Sequence, residues 1–408
     1  MALCGETASC RRRIVKSTAT HGKPRFVSVD LRVPPLEVLH QRRSEKWHGY
    51  DSDVIVSTIA EMDFPLAAPI AAALHAAVDR HDLGYAPERI PRLVDAFVDF
   101  AGRRLGWRVD AGQVRLIPDV MVGVLELSRL LAGPEGSIAF ATPSYPPFLL
   151  EPPPSRLIVR EVPLQDDGGL DLDALGGELD AGTRVFVLVN PHNPTGRVLP
   201  RTELEQLAEL CAEHSAWVIA DEIHAPLVLG GATYTPWLEV SDAARACGFA
   251  LTSASKAFNL AALKTALLVT ASDLTRSTAD QLPPLTDHAG LLGVIAGEVA
   301  FNDCDDWLDA VLETLAGNRE LLGRLLAAHL PDIRWTPPEA TYMAWLDCRS
   351  LNLGDNPAEA FLERGRVALS AGPDYGEVGT GYARLNFGTS PELVAAMVER
   401  MATALVDQ

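Results

Sequence analysis

Residues 252–264 read TSASKAFNLAALK, and the first lysine of this stretch is out of place by charge alone. Lys256 stands among Ala254, Ala257, Leu260 and Ala261, directly after the apolar run Gly248-Phe249-Ala250-Leu251-Thr252. An amine in partly desolvated surroundings loses its preference for the charged form and becomes available to form a Schiff base with an aldehyde. Three further polar segments follow apolar runs: TPSYPPF (142–148) after SIAFA, VNPHNPTG (189–196) at the end of RVFVLV, and DEIH (221–224) after WVIA. Asp221 is then a carboxylate with little solvent, and Tyr145 is pinned between prolines where it can present a ring face. Each has an ordinary alternative when taken singly. Lys256 could snorkel to the surface, Asp221 could cap a helix, Tyr145 could be a core aromatic, and the Asn-Pro octapeptide could be a rigid turn.

The runs that carry these segments are short and rich in β-branched and aromatic residues: SIAFA (137–141), RVFVLV (184–189), WVIA (217–220), FALTS (249–253) and TALLVT (265–270). They alternate with helical patterns, which predicts an α/β chain with a mostly parallel sheet sandwiched by helices. In such sheets ligands bind outside the carboxyl ends of the strands, where the four polar segments lie. Earlier, Ile70, Leu74 and Val78, then Leu93, Phe97 and Phe100, then Met121 to Leu131 recur at helical spacing. After about residue 290 the pattern changes to long helical stretches (298–330) followed by TYMAWLD (341–347), VALS (367–370) and YARLNF (382–387), which predicts a smaller α+β domain. The expected division is a mobile arm over 1–25, a segment over 26–60 joining the small domain, a large domain over 61–290 and a small domain over 291–408.

Composition removes several function classes. The 408 residues carry a net charge of −19, which disfavours nucleic acid as a partner. No apolar run approaches the roughly 18 to 20 residues of a spanning helix. The six cysteines (Cys4, Cys10, Cys211, Cys247, Cys304, Cys348) show no C-x-x-C pair, so they read as reduced thiols rather than metal ligands. The first 25 residues lack the apolar stretch of a secretory signal, which makes the cytoplasm the expected location. The short cluster Pro152-Pro153-Pro154 is the clearest break in composition.

In order and spacing the polar segments resemble the fold-type I pyridoxal-phosphate enzymes of the class I/II aminotransferase superfamily, from about Val27 onward. The carriers are Gly84-Tyr85, Tyr145, Asn193-Pro194-Thr195-Gly196, Asp221, Ser255-Lys256 and Arg384-Leu385-Asn386. Within that superfamily KWHGYDSDVI (46–55), AEMDFP (60–65), PSYPPF, NPHNPTGRV, DEIHAPL, SKAFNLAAL and ATYMAWLDCR (340–349) are similar to the MalY/PatB-type carbon–sulfur lyases, including cystathionine β-lyases. The chain departs from that pattern at Glu61, where an aspartate is expected, at Ala257, where threonine is usual, and at Ala262, where glycine is usual.

The resemblance implies a large cofactor-binding domain, a smaller α+β domain and pyridoxal 5'-phosphate held by Lys256. It places Asp221 against the ring nitrogen, Asn193 and His224 at the ring hydroxyl, and Tyr145 on the ring face. Catalysis falls to Lys256, Asp221 and Tyr145, with the amine of Lys256 as general base. The phosphate is expected at the start of a helix opened by PDVMVG (118–123), on the N–H groups of Val120 and Met121. Ser253, Ser255 and Lys264 add side chains there. Tyr85 is expected to come from a second subunit, so the resemblance implies a homodimer with shared active sites. Arg384 would clamp the carboxylate of an amino-acid substrate, since its planar fork matches a carboxylate. The residue-level alternative is a strand-edge salt bridge. Glu61 and Asn193 complete the expected substrate contacts. The implied reaction is β-elimination from a cysteine S-conjugate to thiol, pyruvate and ammonia. Transamination, decarboxylative or oxidative deamination, and a cofactor-holding regulatory role are the competing readings.

Overall fold

Phe186, Val187 and Leu188 in the run 184–189 are each about 1% exposed, as a strand covered on both faces requires. Phe186 and Leu188 pack into a cluster with Leu204, Leu207 and Ala208 of the helix Arg201–Glu213. Val185, Val187 and Val189 point the other way, onto Val124 and Leu127 of the helix Val120–Ala132. The period-2 alternation of a strand thus distributes one apolar run between two helical layers.

The computed structural model describes residues 15–16, 26–27, 29–150 and 156–406. Its strands in chain order are β1 (Val15–Lys16), β2 (Phe26–Val27), β3 (Ile55–Ser57), β4 (Val114–Ile117), β5 (Ser137–Thr142), β6 (Ile158–Pro163) and β7 (Val185–Val189). They continue with β8 (Trp217–Asp221), β9 (Gly248–Thr252), β10 (Ala266–Val269), β11 (Arg334–Trp335), β12 (Met343–Asp347), β13 (Val367–Ala371) and β14 (Tyr382–Asn386). The larger sheet has the order β4-β10-β9-β8-β7-β5-β6. Its neighbours from β9 to β6 run parallel, and β10 is antiparallel to both β9 and β4. Parallel pairing places the carboxyl ends of β5, β7, β8 and β9 along one edge, and the four polar segments leave the sheet there.

The smaller sheet has the order β11-β12-β14-β13-β3. Its last pair is parallel and joins Ile55–Ser57 to Val367–Leu369. The helices Asp305–His329, Pro357–Gly365 and Pro391–Val406 pack around it. The helical stretches expected over 298–330 are two helices, Leu291–Asp303 and Asp305–His329, that meet at Cys304. Asp305 and Asp306 explain the restart, since carboxylates favour the first turn of a helix. Two strands of the large sheet, β4 and β6, are absent from the apolar runs. The second is an edge strand whose Arg160 and Glu161 face water, so its composition hides it.

Residues 1–14 and 17–25 of the expected arm lie outside the described residues, as do Cys4, Cys10 and Pro152 to Pro154. Cys211, Cys247, Cys304 and Cys348 are free thiols. Among the described residues no helix is long and apolar enough to cross a membrane.

Candidate active site

Lys256 is presented by a four-residue helix, Ala254–Ala257, that starts two residues beyond the end of β9. Ser253 caps it, accepting the N–H of Ser255 at 3.0 Å. The Lys256 side chain is half-buried, and its Nζ donates to the Ala60 carbonyl at 3.2 Å. It does not snorkel. Burial lowers its proton affinity and the positive charge of Arg384 lowers it further, while Glu61, Asp119 and Asp221 oppose that shift. The ammonium is thereby destabilised in the surroundings the sequence implied.

Asp221 ends β8 and is 7% exposed. Its Oδ1 accepts the N–H of Ile223 at 3.1 Å, which is a local turn contact rather than a helix cap. Burial pushes its carboxyl up to about 7; the Ile223 N–H and Lys256 resist this, and Asp119 adds to it. His224, three residues on, is buried and pushed down to about 3 by desolvation, with Lys256 and Arg384 acting in the same direction. It is therefore a neutral imidazole, and its Nδ1 has no partner among the described residues.

Arg384 projects from β14 opposite both Trp345 and Ser370. It is 3% exposed. Its Nη1 donates to Asn193 Oδ1 at 3.0 Å, and its Nη2 to the Thr58 carbonyl at 2.7 Å and to Ser370 Oγ at 3.2 Å. The guanidinium carbon lies 5.1 Å from the Tyr375 ring centroid. Among the described residues no carboxylate lies within ion-pair distance of it, so the salt-bridge alternative has no partner. Asn193 reaches this position because Gly196 turns the chain at φ +71, where a Cβ would stand 2.3 Å from Pro338.

Tyr145 is half-buried and meets Phe148 edge-on at 5.6 Å. Its hydroxyl lies within the fields of Arg384, Asp119 and Asp221, although burial dominates and raises its pKa. Glu61 is half-buried and near enough to favour the protonated forms of Lys256 and the Tyr342 hydroxyl. Lys256, Asp221, His224, Asn193, Arg384, Tyr145 and Glu61 thus converge on one region.

The residues expected around the phosphate divide. Val120 and Met121 open a 13-residue helix whose first N–H groups lack intrahelical acceptors. Asp119 already takes the Met121 N–H at 2.8 Å and pairs with Lys264 Nζ, also at 2.8 Å. A phosphate here would share both donors with that carboxylate. Ser255 is half-buried beside Lys256, whereas Ser253 gives its hydroxyl proton to the Thr265 carbonyl at 2.7 Å. Tyr85 is fully exposed among the described residues.

Pyridoxal phosphate fits the donors and acceptors that remain. Thr142 Oγ1, Ser144 Oγ, Asn190 Nδ2, His224 Nδ1 and Arg384 Nε are buried with no partner among the described residues. Four of them follow or end β5, β7 and β8. Such groups are rare in folded interiors unless a ligand or water completes them. An amine, a buried carboxylate and a helix N-terminus at the same strand ends match an aldehyde, a ring nitrogen and a phosphate. Among the described residues, no group of three or more His, Cys, Asp and Glu comes together to hold a metal.

Sequence reasoning missed Asp119, Tyr342, Tyr375 and the carbonyls of Thr58 and Ala60. Asp119 is 145 residues from Lys264, and only its place before an apolar helical run marked it, as a helix cap.

The profile of the family "Aminotransferase class I and II" matches residues 57–401. The chain is 39% identical to a Mycobacterium leprae protein named as a candidate cystathionine beta-lyase, over 91% of this chain and 97% of that one. It is 32% identical to the cystathionine beta-lyase of Corynebacterium glutamicum, over 92% of this chain and 100% of that one. A Corynebacterium diphtheriae crystal structure, of a candidate PLP-dependent beta-cystathionase, superposes with a TM-score of 0.86 at 34% identity, covering 92% of this chain and 99% of that one. The two-sheet architecture is the fold-type I arrangement, and the chain belongs to the class I and II aminotransferase family.

Proposed function

We propose that the chain is a pyridoxal-phosphate-dependent carbon–sulfur β-lyase that cleaves a cysteine S-conjugate to a thiol, pyruvate and ammonia. The observation that carries this reading is the convergence of Asp221 at the end of β8, Lys256 just beyond β9 and Arg384 within β14, in a chain similar over nine-tenths of its length to cystathionine beta-lyases. Asp221 would hold the ring nitrogen, Lys256 the aldehyde carbon, Asn193 and His224 the ring hydroxyl, and Tyr145 the ring face. Val120, Met121, Ser255 and Lys264 would hold the phosphate. When bound, the cofactor supplies a conjugated sink for the electron pair left at the substrate Cα.

The residues do the rest. Arg384 grips the α-carboxylate through its Nη1 and Nη2 edge, whose Nη1 now donates to Asn193. This orients the Cα–H bond toward Lys256. The Lys256 amine, disfavoured as an ammonium by burial, accepts the Cα proton at Nζ, and the Ala60 carbonyl receives the charged form. Electron density then leaves through the Cβ–S bond, and the thiolate departs with the pair. His224 stays neutral and does not compete for protons above about pH 4, given its displacement to about 3.

A homodimer with shared sites accompanies this reading, because the Tyr85 ring has no cover among the described residues. Mixing Lys256→Ala with an impaired Tyr85→Phe should regenerate activity through hybrid dimers. No recovery under demonstrated subunit exchange contradicts the shared site.

A panel of S-substituted cysteines, with every product identified by mass, tests the reaction. Thiol, pyruvate and ammonia in equal amounts without added 2-oxo acid are expected. Turnover that stops after one equivalent until a 2-oxo acid is supplied identifies an aminotransferase. Carbon dioxide with the thioether intact identifies a deaminating reaction.

A further inference from the structure

Six consecutive carbonyls, from Thr58 to Asp63, each accept a hydrogen bond from a side chain. Thr58 O takes Arg384 at 2.7 Å and Ser370 at 3.1 Å. Ile59 O takes Asn386 at 2.6 Å. Ala60 O takes the Tyr342 hydroxyl at 2.9 Å and Lys256 at 3.2 Å. Glu61 O takes Asn386 at 2.7 Å and Lys46 at 3.2 Å. Met62 O takes Asn259 at 2.9 Å, and Asp63 O takes Arg42 at 2.9 Å. The segment lies between β3, which ends at Ser57, and the helix Ala68–Asp79. With no ladder or helix to fix its path, side chains do so.

Behind it lies a buried ion pair. Lys46 Nζ meets Asp63 Oδ1 at 2.8 Å, with both side chains 1% exposed. Such pairs add little stability compared with an apolar pair of similar volume, because two charges must leave water. The pair does tie Lys46, which holds the Glu61 carbonyl, to the end of the segment. Two carbonyls of the same segment, two residues apart, hold the two cations of the site.

We propose that Lys46 is a positioning residue: together with Asp63 it fixes residues 58–63, and this segment sets the spacing between the Arg384 guanidinium and the Lys256 amine. The inference rests on the reading of Lys256 as cofactor anchor and Arg384 as carboxylate clamp. Lys46 touches neither. It acts through Glu61 O and Asp63, and it determines how far apart the carboxylate and the Cα proton of a bound amino acid must lie.

The test uses the cofactor-loaded double variant Lys46→Met/Asp63→Asn, which leaves no unpaired buried charge. Its cofactor content, its melting temperature, the pH midpoint of the visible absorbance change of the bound cofactor, and kcat and KM are measured beside the wild type. The expected result is one cofactor per chain and a midpoint displaced by about half a unit or more, because the Arg384 charge then stands at a different distance from the Lys256 nitrogen. A fall in kcat of roughly tenfold accompanies it, from misplacement of well under 1 Å. A folded double variant with the wild-type midpoint and kcat overturns the proposal. If that variant does not fold, Asn259→Ala releases the same segment at Met62 without stranding a charge. A displaced midpoint there supports the proposal, and an unchanged one overturns it. Wild-type protein that binds no cofactor would instead remove the reading beneath.

Discussion

The carboxyl ends of β5, β7 and β8 and the segment 58–63 face the same region with opposite hydrogen-bond accounts. At the strand ends Thr142, Ser144, Asn190 and His224 keep buried polar atoms with no partner among the described residues. In the segment every carbonyl from 58 to 63 is taken. Unpaired buried groups cost stability and suit a ligand that will pair them. Saturated groups cannot bind anything new, but they hold what they touch. One region is the receptor and the other its frame. Changes at the receptor should therefore cut rate steeply, while changes at the frame should shift it modestly.

The largest effect is expected at Lys256. Lys256→Ala should lower turnover by roughly 10⁴-fold, the upper range for a positioned general base, with Tm in the cofactor-free protein little changed. Steady-state assays beside thermal melts check both halves. Asp221→Asn should come next, at roughly 10²-fold or more in kcat with cofactor still bound, since it removes a fixed charge from a dry site. Near-normal turnover would reduce Asp221 to the turn contact it makes with Ile223. Arg384→Lys should raise KM for the amino acid by about tenfold, because an ammonium cannot reproduce the fork.

The smallest effect sharpens the contrast by showing its cost. The Asp221 carboxyl is raised from its ordinary 3.8 to about 7 in the fold. Its contribution to stability is therefore fully present below pH 3.8 and is lost as pH rises through 7. Asp221→Asn, which has no carboxyl to ionise, should melt at a higher temperature than wild type near pH 8 when cofactor is absent. The gap should narrow as pH falls toward about 5.5, by on the order of 1.4 kcal/mol per pH unit at most. With cofactor bound the order should reverse. Paired melts across that range decide it, and a gap that widens in acid contradicts the assignment.

The two regions were unequally legible in the sequence. Lys256, Asp221 and Asn193 could be read because each follows an apolar run, and a polar residue at the end of a buried strand stands out by type and place. The strands of the larger sheet were visible for the same reason, except β4 and the charged edge strand β6. The frame offered no such signal. Its acceptors are carbonyls, which every residue has, and Thr58, Ile59, Ala60 and Met62 are unremarkable by type. Its donors come from positions 42, 46, 256, 259, 342, 370, 384 and 386, a set that only the folded chain assembles. The break of 298–330 at Cys304 was hidden because both helices carry apolar positions at helical spacing.

Covalent labelling tests most directly whether the receptor end holds the cofactor as described. Reduction of the loaded protein with borohydride fixes pyridoxal phosphate to the lysine that anchors it, and peptide mass spectrometry then locates the added mass. The label is expected on Lys256 alone, with Lys46 and Lys264 unmodified. Stoichiometric label on either of those lysines, or a loaded protein that takes up no label at all, would contradict the assignment of Lys256 as the anchor.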